Sequence, residues 1–434
     1  MTAALDFALP AELEAHEPAE HRGVPRDAVR MLVSRSSAGA VSHHGFGELP
    51  GLLRPGDLLV VNTSGTLPAA VRIDGKLTVH FSTPLADGSW LVEFRYQNST
   101  GTSPAHVSSP APLRLPGGAV LTLESPVTGR LWQARLSTAV VPYLLKHGKP
   151  IRYSYVGRDW DLADYQTVFA RVPGSAEMPS ASRPFSAFTV TELAARGVLI
   201  APVTLHTGVS SLEEGEDPYP EPFDVPPATA RLINHVRWDG GRVIAAGTTV
   251  VRAVESCVSA DGFVYPASGW TSHVVTPATG VRVVDGLLTG LHEPRSSHLR
   301  MLAAFAGPDL LRRCYEEAIR AGYLWHEFGD VHLMLPLAGL GVTGKELSER
   351  GEQELGAAQC HQADLERVRV AACHGTEEDD PDQRHADRPA DLQDRGQDAG
   401  RRTDIPRLDG PEHPAGDRGD HHAHASPLDD HSRH

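Results

Sequence analysis

The chain has 434 residues, of which 40% are apolar, and its 55 acidic against 40 basic side chains give a net charge of −15. That length accommodates two or three domains of ordinary globular composition. The acidic balance excludes a broadly basic nucleic-acid binder, no run approaches the apolar length of a membrane span, and the stretch before Arg22 lacks the apolar centre of a secretory signal. Four cysteines, Cys257, Cys314, Cys360 and Cys373, form no CxxC pair and no disulfide framework, which points to a reducing cytoplasm.

The residues before Gly56 read as loops and short elements. Gly56–Asn62, an apolar run behind a Pro-Gly turn, predicts a buried strand. Leu77–Thr83, Trp90–Tyr96, Ala119–Ser125 and Leu131–Ser137 are short, rich in β-formers and bounded by turn residues. No helical pattern separates them, so they predict a small all-β module. The period then changes. Thr189–Glu192 reads as a capping box opening a helix that stops at Gly197. A strand over Val198–His206, a helix over Ala228–Trp238 and a strand, turn and helix from Arg242 to Val258 follow. His273–Thr276 and Gly286–His292 predict strands, Ser296–Ala306 and Asp309–Ala321 helices, and Asp330–Leu335 a closing strand.

Strands alternating with helices predict a largely parallel α/β sheet or barrel. The expected fold is α/β, with a barrel-like large domain made of residues 1–70 and 153–350 and a small all-β domain inserted at 71–152. A tail over 351–434 completes the chain. From Ala357 onward it has no Phe, Trp, Tyr or Lys, 18 acidic residues against 10 arginines, and nine of the 23 histidines. Too few apolar side chains remain to offset ordering entropy, so the tail is expected to be disordered.

In an α/β fold, ligands gather at the carboxyl ends of strands. Three such ends carry polar residues: Thr204–Gly208, Gly247-Thr248-Thr249 with Arg252 one turn on, and Thr289–Pro294. A Gly-Thr-Thr turn at a helix N-terminus offers N–H groups and hydroxyls to a carboxylate or phosphate. A helix cap beside a surface arginine accounts for the same residues. His206 and His292 fit proton transfer, or a structural place at a strand end. The chain has no Walker lysine, no GxGxxG behind a strand, no HExxH and no GxSxG. Nucleotide hydrolysis, dinucleotide chemistry and serine hydrolysis are disfavoured, and no metal is called for.

A set of segments runs collinearly over about the first 340 residues: DFALPAEL, Pro18–Val33, LRPGDLLVVN (Leu53–Asn62), YQTVFARVPGS (Tyr165–Ser175), APVTLHTGVSSL (Ala201–Leu212), RVIAAGTTVVRAVES (Arg242–Ser256), VVDGLLTGLHEPRSS (Val283–Ser297) and MLAAFAG (Met301–Gly307). The ordered set resembles the S-adenosylmethionine:tRNA ribosyltransferase-isomerase family of queuosine biosynthesis. The resemblance implies a barrel-like α/β domain with an inserted β-domain. It also implies transfer of the ribosyl part of S-adenosylmethionine to a 7-aminomethyl-7-deazaguanine in tRNA, with adenine and methionine released and epoxyqueuosine formed. The sulfonium makes methionine a good leaving group and acidifies the adjacent sugar C–H, so a positioned base is the main requirement.

The chain also departs from the family pattern. Asn62-Thr63-Ser64-Gly65 and Pro68-Ala69-Ala70 lack the family's two arginines, Pro179–Phe185 lacks its histidine, and Glu216–Glu221 keeps only the glutamate. These departures leave open a diverged enzyme with a non-tRNA acceptor and a non-catalytic nucleotide- or RNA-binding scaffold. Within the first reading, His206 and His292 are the expected proton-transfer residues. Gly247, Thr248 and Thr249 would anchor an anionic group, Arg252 and Glu255 would hold the donor, and Tyr165 and Gln166 would line the acceptor pocket. Thr204 and Asp285 complete the expected binding set. S-adenosylmethionine is then a substrate rather than a cofactor, tRNA the macromolecular partner, and the protein a cytoplasmic monomer with no membrane association.

Overall fold

The computed structural model describes residues 5–36, 39–98, 101–105, 107, 112–209 and 219–336. The expected disordered tail lies outside the described residues, as do Cys360 and Cys373. Leu58–Asn62 is buried at every position, four apolar residues ending in the polar Asn62. It is the fourth strand of a nine-stranded sheet whose order is Ala267–Thr271, Glu221–Val225, Leu199–Leu205, Leu58–Asn62, Val243–Ala246, Gly286–Gly290, Val331–Leu335, Arg30–Arg35 and Ala40–Gly45. Because side chains alternate across a strand, Leu58 and Val60 enter one core while Leu59 and Val61 enter another. The first core includes residues of the helices Pro227–Trp238, Thr248–Glu255, Ser297–Ala306 and Pro308–Arg320. The second includes Phe46, Leu49, Phe185 and Leu193.

The sheet is mixed, where the sequence pattern predicts a largely parallel one. Leu199–Leu205, Leu58–Asn62, Val243–Ala246 and Gly286–Gly290 are mutually parallel. Val331–Leu335 then pairs antiparallel to Gly286–Gly290 and parallel to Arg30–Arg35. The reversal follows from the connection. Two helices separated only by Gly307 stand between Gly286–Gly290 and Val331–Leu335, and a helical hairpin turns the chain once more than a single crossover helix does. The two end strands, Ala267–Thr271 and Ala40–Gly45, do not pair with each other among the described residues, so the sheet is a half-barrel that stays open.

A second sheet is wholly antiparallel and takes its strands from between Ala70 and Leu136: Ala70–Arg72, Leu77–Pro84, Trp90–Asn98, Leu131–Leu136, Val120–Pro126 and Leu113–Arg114 in spatial order, with Gly101–Pro104 beside Trp90–Asn98. Phe81, Val92, Phe94, Leu121 and Leu131 fill its own apolar cluster. Two local expectations shift. The helix over Ala187–Ala195 begins ahead of the expected capping box because Ser186 caps it, its Oγ accepting from Thr189 N at 3.1 Å. His273–Thr276 is not a strand. The edge strand is Ala267–Thr271, exposed at four of five positions and therefore without an apolar signature. Among the described residues no helix is long and apolar enough to cross a membrane.

His332 sits inside the sheet at 0% exposure, its Nε2 sharing a hydrogen bond of 2.9 Å with Ser34 Oγ and its Nδ1 without a partner among the described residues. Burial pushes its pKa down to about 3, below the 6.5 of an unfolded histidine. Protonation therefore favours the unfolded chain, and the contribution is fully present above pH 6.5 and is lost as pH falls toward 3. Denaturant unfolding at pH 4, 5 and 6 is expected to show a shallower acid limb for the double variant His332→Leu/Ser34→Ala than for the wild type. The slopes should differ by up to about 1.4 kcal/mol per pH unit, the equivalent of one proton. Equal slopes would place the acid sensitivity elsewhere.

Candidate active site

The four mutually parallel strands share one direction, so their carboxyl ends fall along one edge of the sheet. The segments that follow three of them, Thr207-Gly208, Gly247–Thr249 and Thr289–Ser297, line a single cleft of about 650 Å³. Ser82, Thr83, Leu91 and Leu131 of the antiparallel sheet form part of its wall. The site therefore forms where the two sheets face each other.

Asn62, at 0% exposure, ties its own strand end to the end of Leu199–Leu205 and to the first turn of the helix after Gly247. Its Oδ1 accepts from Ser64 N at 3.0 Å and Leu205 N at 3.1 Å, while its Nδ2 donates to Leu205 O at 2.9 Å and Thr249 Oγ1 at 3.2 Å. An amide has two donors and two acceptor lone pairs, and all four are used here. At Gly247 the backbone adopts φ 109° and ψ 151°, a region in which a side chain would be strained, and the helix Thr248–Glu255 starts directly after it. Gly247, Thr248 and Thr249, at the N-terminus of that helix, line the cleft, the place an anion site would occupy.

Arg252 also lines the cleft, but its donors are spent on the protein. It pairs with Glu221 through Nη1, donates from Nε to His273 O at 3.1 Å, and donates from Nη2 to Tyr219 O and Thr271 O, both at 3.1 Å. Burial raises the Glu221 carboxyl above its ordinary pKa, against the pull of Arg252, and Glu221 also accepts from Gly208 N. His292 shares a 2.8 Å hydrogen bond with Thr289 Oγ1 and stacks on His298 with rings 4.4 Å apart and nearly parallel. Burial, and then the neighbouring histidines, hold His292 well below its usual pKa; burial lowers His298 to about 4. Both are neutral at pH 7. Tyr165 lines the cleft as well, and burial raises its phenol pKa.

The remaining expected residues stand outside the cleft. His206 is turned onto Ser64 Oγ, 2.7 Å from its Nδ1, and lies against Gly174, where an added Cβ would be 2.6 Å from the ring. Gln166 grips Thr66 from both sides, accepting from its N at 3.1 Å and donating to its O at 2.8 Å. Thr204 bonds Thr63 through their hydroxyls. Glu255 accepts from the backbone N of Arg282, Val283 and Val284. Asp285 caps Val243 N at the strand starts, the opposite end of the sheet from the cleft.

Cleft residues that the sequence reading passes over include Tyr153, Tyr155, Glu177, His298, His326 and Glu327. Apart from His298, on the helix Ser297–Ala306, they lie outside helices and strands, and none has motif spacing. Only Glu221, the one family residue kept in its segment, carries a sequence signal. Replacing Asn62 with Leu leaves the Ser64 and Leu205 backbone groups unpaired, at about 1–3 kcal/mol each. The Asn62→Leu protein is expected to unfold at least about 3 kcal/mol more easily in urea, and a loss below about 1 kcal/mol would deny the amide its clamping role.

A sequence model described as a queuosine biosynthesis protein matches residues 2–334. The S-adenosylmethionine:tRNA ribosyltransferase-isomerase of Symbiobacterium thermophilum is 35% identical over 347 residues, covering 76% of this chain and 98% of that protein. Its Geobacter sulfurreducens counterpart is 36% identical over 343 residues, covering 75% and 97%. The crystal structure of S-adenosylmethionine tRNA ribosyltransferase from Thermotoga maritima is 26% identical and covers 77% of this chain and 99% of that one, with a TM-score of 0.44. The match spans both sheets and every strand end at the cleft, and the chain belongs to the queuosine biosynthesis family of S-adenosylmethionine:tRNA ribosyltransferase-isomerases.

Proposed function

We propose that this protein transfers and isomerises the ribosyl moiety of S-adenosylmethionine onto a 7-aminomethyl-7-deazaguanine in tRNA, forming epoxyqueuosine and releasing adenine and methionine. The observation that carries this reading is the 35–36% identity to ribosyltransferase-isomerases across 97–98% of their length. The cleft supports it chemically. Its lining holds the carboxyl groups of Glu177, Glu221, Glu293 and Glu327 together with Arg252, Arg295 and Arg300, a mixed set that offers counter-charges to both the sulfonium and the carboxylate of the donor. The first turn of Thr248–Glu255 supplies the complementary site for the methionine carboxylate.

In this reading Gly247, Thr248 and Thr249 anchor the carboxylate, with Thr249 held by Asn62. Arg252 serves the donor indirectly, by fixing Glu221 and the His273 backbone in the wall. Tyr165 lies on the acceptor side. His292, a neutral imidazole oriented by Thr289, forms part of the wall. Glu255, Asp285, His206, Gln166 and Thr204 set the frame around the cleft. The reaction consumes S-adenosylmethionine and needs no resident cofactor, and the protein works in the cytoplasm, where tRNA is.

Purified protein incubated with S-adenosylmethionine and tRNA bearing the 7-aminomethyl base is expected to release adenine and methionine in equal amounts, followed by mass spectrometry, and only when that base is present. Thr248→Ala is expected to raise KM for S-adenosylmethionine about tenfold with kcat within twofold, the loss of one hydrogen bond to a charged group. No release, accompanied by thermal stabilisation on adding S-adenosylmethionine, would favour a different acceptor over the tRNA reaction. No release and no stabilisation would favour a binding scaffold.

A further inference from the structure

One half-buried acid lining the cleft has, among the described residues, half of its carboxyl group unaccounted for. Glu327 accepts the Tyr155 hydroxyl at Oε2, whereas its Oε1 is buried and has no hydrogen-bond partner among the described residues. A carboxylate oxygen left without a donor away from water is costly unless it takes a proton. Burial first, and then the like charges of Glu177 and Glu293, raise the Glu327 pKa to about 7, with the Tyr155 hydrogen bond working in the opposite direction. The other titratable groups around it are Tyr153, stacked 5.8 Å from Tyr155; Tyr165; and His326, stacked 3.8 Å from Tyr155.

The turn that carries Glu327 is tightly constrained. His326 has φ 72°, a conformation rare for a residue with a side chain. A Cβ on Gly329 would lie 2.3 Å from Leu324 O and 2.5 Å from Trp325 O, so only glycine permits so close a return of the chain. Asp330 closes the turn by accepting Leu324 N at 2.8 Å, and Arg30 pairs with Asp330 at 2.9 Å. Local strain maintained by surrounding contacts is a mark of functional turns. His292 compares poorly as a base, because burial keeps it well below its usual pKa and its Nε2 is engaged by Thr289.

Building on the ribosyl-transfer reading, we propose that Glu327 is the catalytic base that removes the proton from the sugar carbon bonded to the sulfonium of S-adenosylmethionine, with Tyr155 as its positioning residue. The C–H bond breaks, its electron pair stays on carbon beside the positive sulfur, and an O–H bond forms on Glu327. The C1′–N9 bond then breaks with its electron pair on N9, which takes that proton so that adenine leaves as the neutral base, while the ring oxygen and then the tRNA amine supply electrons to C1′. A base with a pKa near the working pH transfers protons most effectively, and such a group supplies roughly 10²–10⁴ in rate.

The test uses the full-length protein with S-adenosylmethionine in deuterium oxide, with and without the modified tRNA. Two quantities are read by mass spectrometry: deuterium entering the ribosyl fragment of recovered S-adenosylmethionine, and adenine released. Wild type is expected to exchange, with kcat/KM rising through a midpoint near pH 7. Glu327→Gln is expected to lose at least about 100-fold in exchange and turnover while still binding S-adenosylmethionine within threefold by calorimetry. Tyr155→Phe, which keeps the base and removes the hydrogen bond that lowers its pKa, is expected to remain active with its midpoint displaced upward. Wild type that exchanges without releasing adenine refutes the tRNA reaction and leaves the base assignment standing. A wild type that never exchanges, a Glu327→Gln protein that exchanges like wild type, or one that loses binding along with exchange overturns the assignment.

Discussion

The buried amide of Asn62 is the constraint on which the cleft depends. A strand end is ordinarily where order runs out, because its last N–H and C=O groups lose their ladder partners. Here one side chain takes over that task for three chain segments at once, spending both donors and both acceptors on Leu205, Ser64 and Thr249. The ends of two parallel strands and the first turn of the helix Thr248–Glu255 are thereby held in one register. Residues immediately beyond them, Thr207-Gly208 and Thr248, inherit fixed positions in the wall. A hydrophobic residue at this place would pack as well and position nothing.

The second constraint is electrostatic. Four glutamates line the cleft, yet the histidines that would ordinarily neutralise them are themselves held uncharged. His292, His298 and His326 each have a lowered pKa, burial being the first cause in every case. Arg252, the cation nearest the helix N-terminus, is committed to Glu221. The lining, which also holds Arg295 and Arg300, therefore presents charges of both signs. A zwitterionic amino acid joined to a sulfonium carries charges of both signs as well.

The parts legible in the sequence were those governed by local pattern. The three polar strand ends could be named because apolar runs, turns and caps follow short-range rules, and the fold does bring all three to one cleft. Distance along an element, by contrast, was misjudged. Glu255 lies seven residues beyond Thr248, about 11 Å along a helix, and accordingly caps the 282–284 backbone. Asp285 precedes the strand Gly286–Gly290 and sits about 16 Å from its far end. Tyr153, Tyr155 and Glu327 were illegible for a different reason. They occupy turns whose place in space is set by partners 24 to 172 residues away, such as Glu177 for Tyr153 and Glu327 for Tyr155.

The turn over 324–330 shows how such a group is kept ready. Its conformation is costly locally, with a left-handed histidine and a glycine compressed against two carbonyls. What stabilises it comes from elsewhere: the Asp330 carboxylate, the Arg30 pair that links it to the outer strands, and the Trp325 indole, which donates to His292 O at 3.0 Å. The same indole hydrogen bond joins this turn to the strand end carrying His292, so the acid and the imidazole wall are set by one network. A carboxyl group on a loose loop would swing to water, recover its ordinary pKa and lose its basicity at pH 7. Rigidity of the turn and the raised basicity of Glu327 are therefore one property, and weakening the first removes the second.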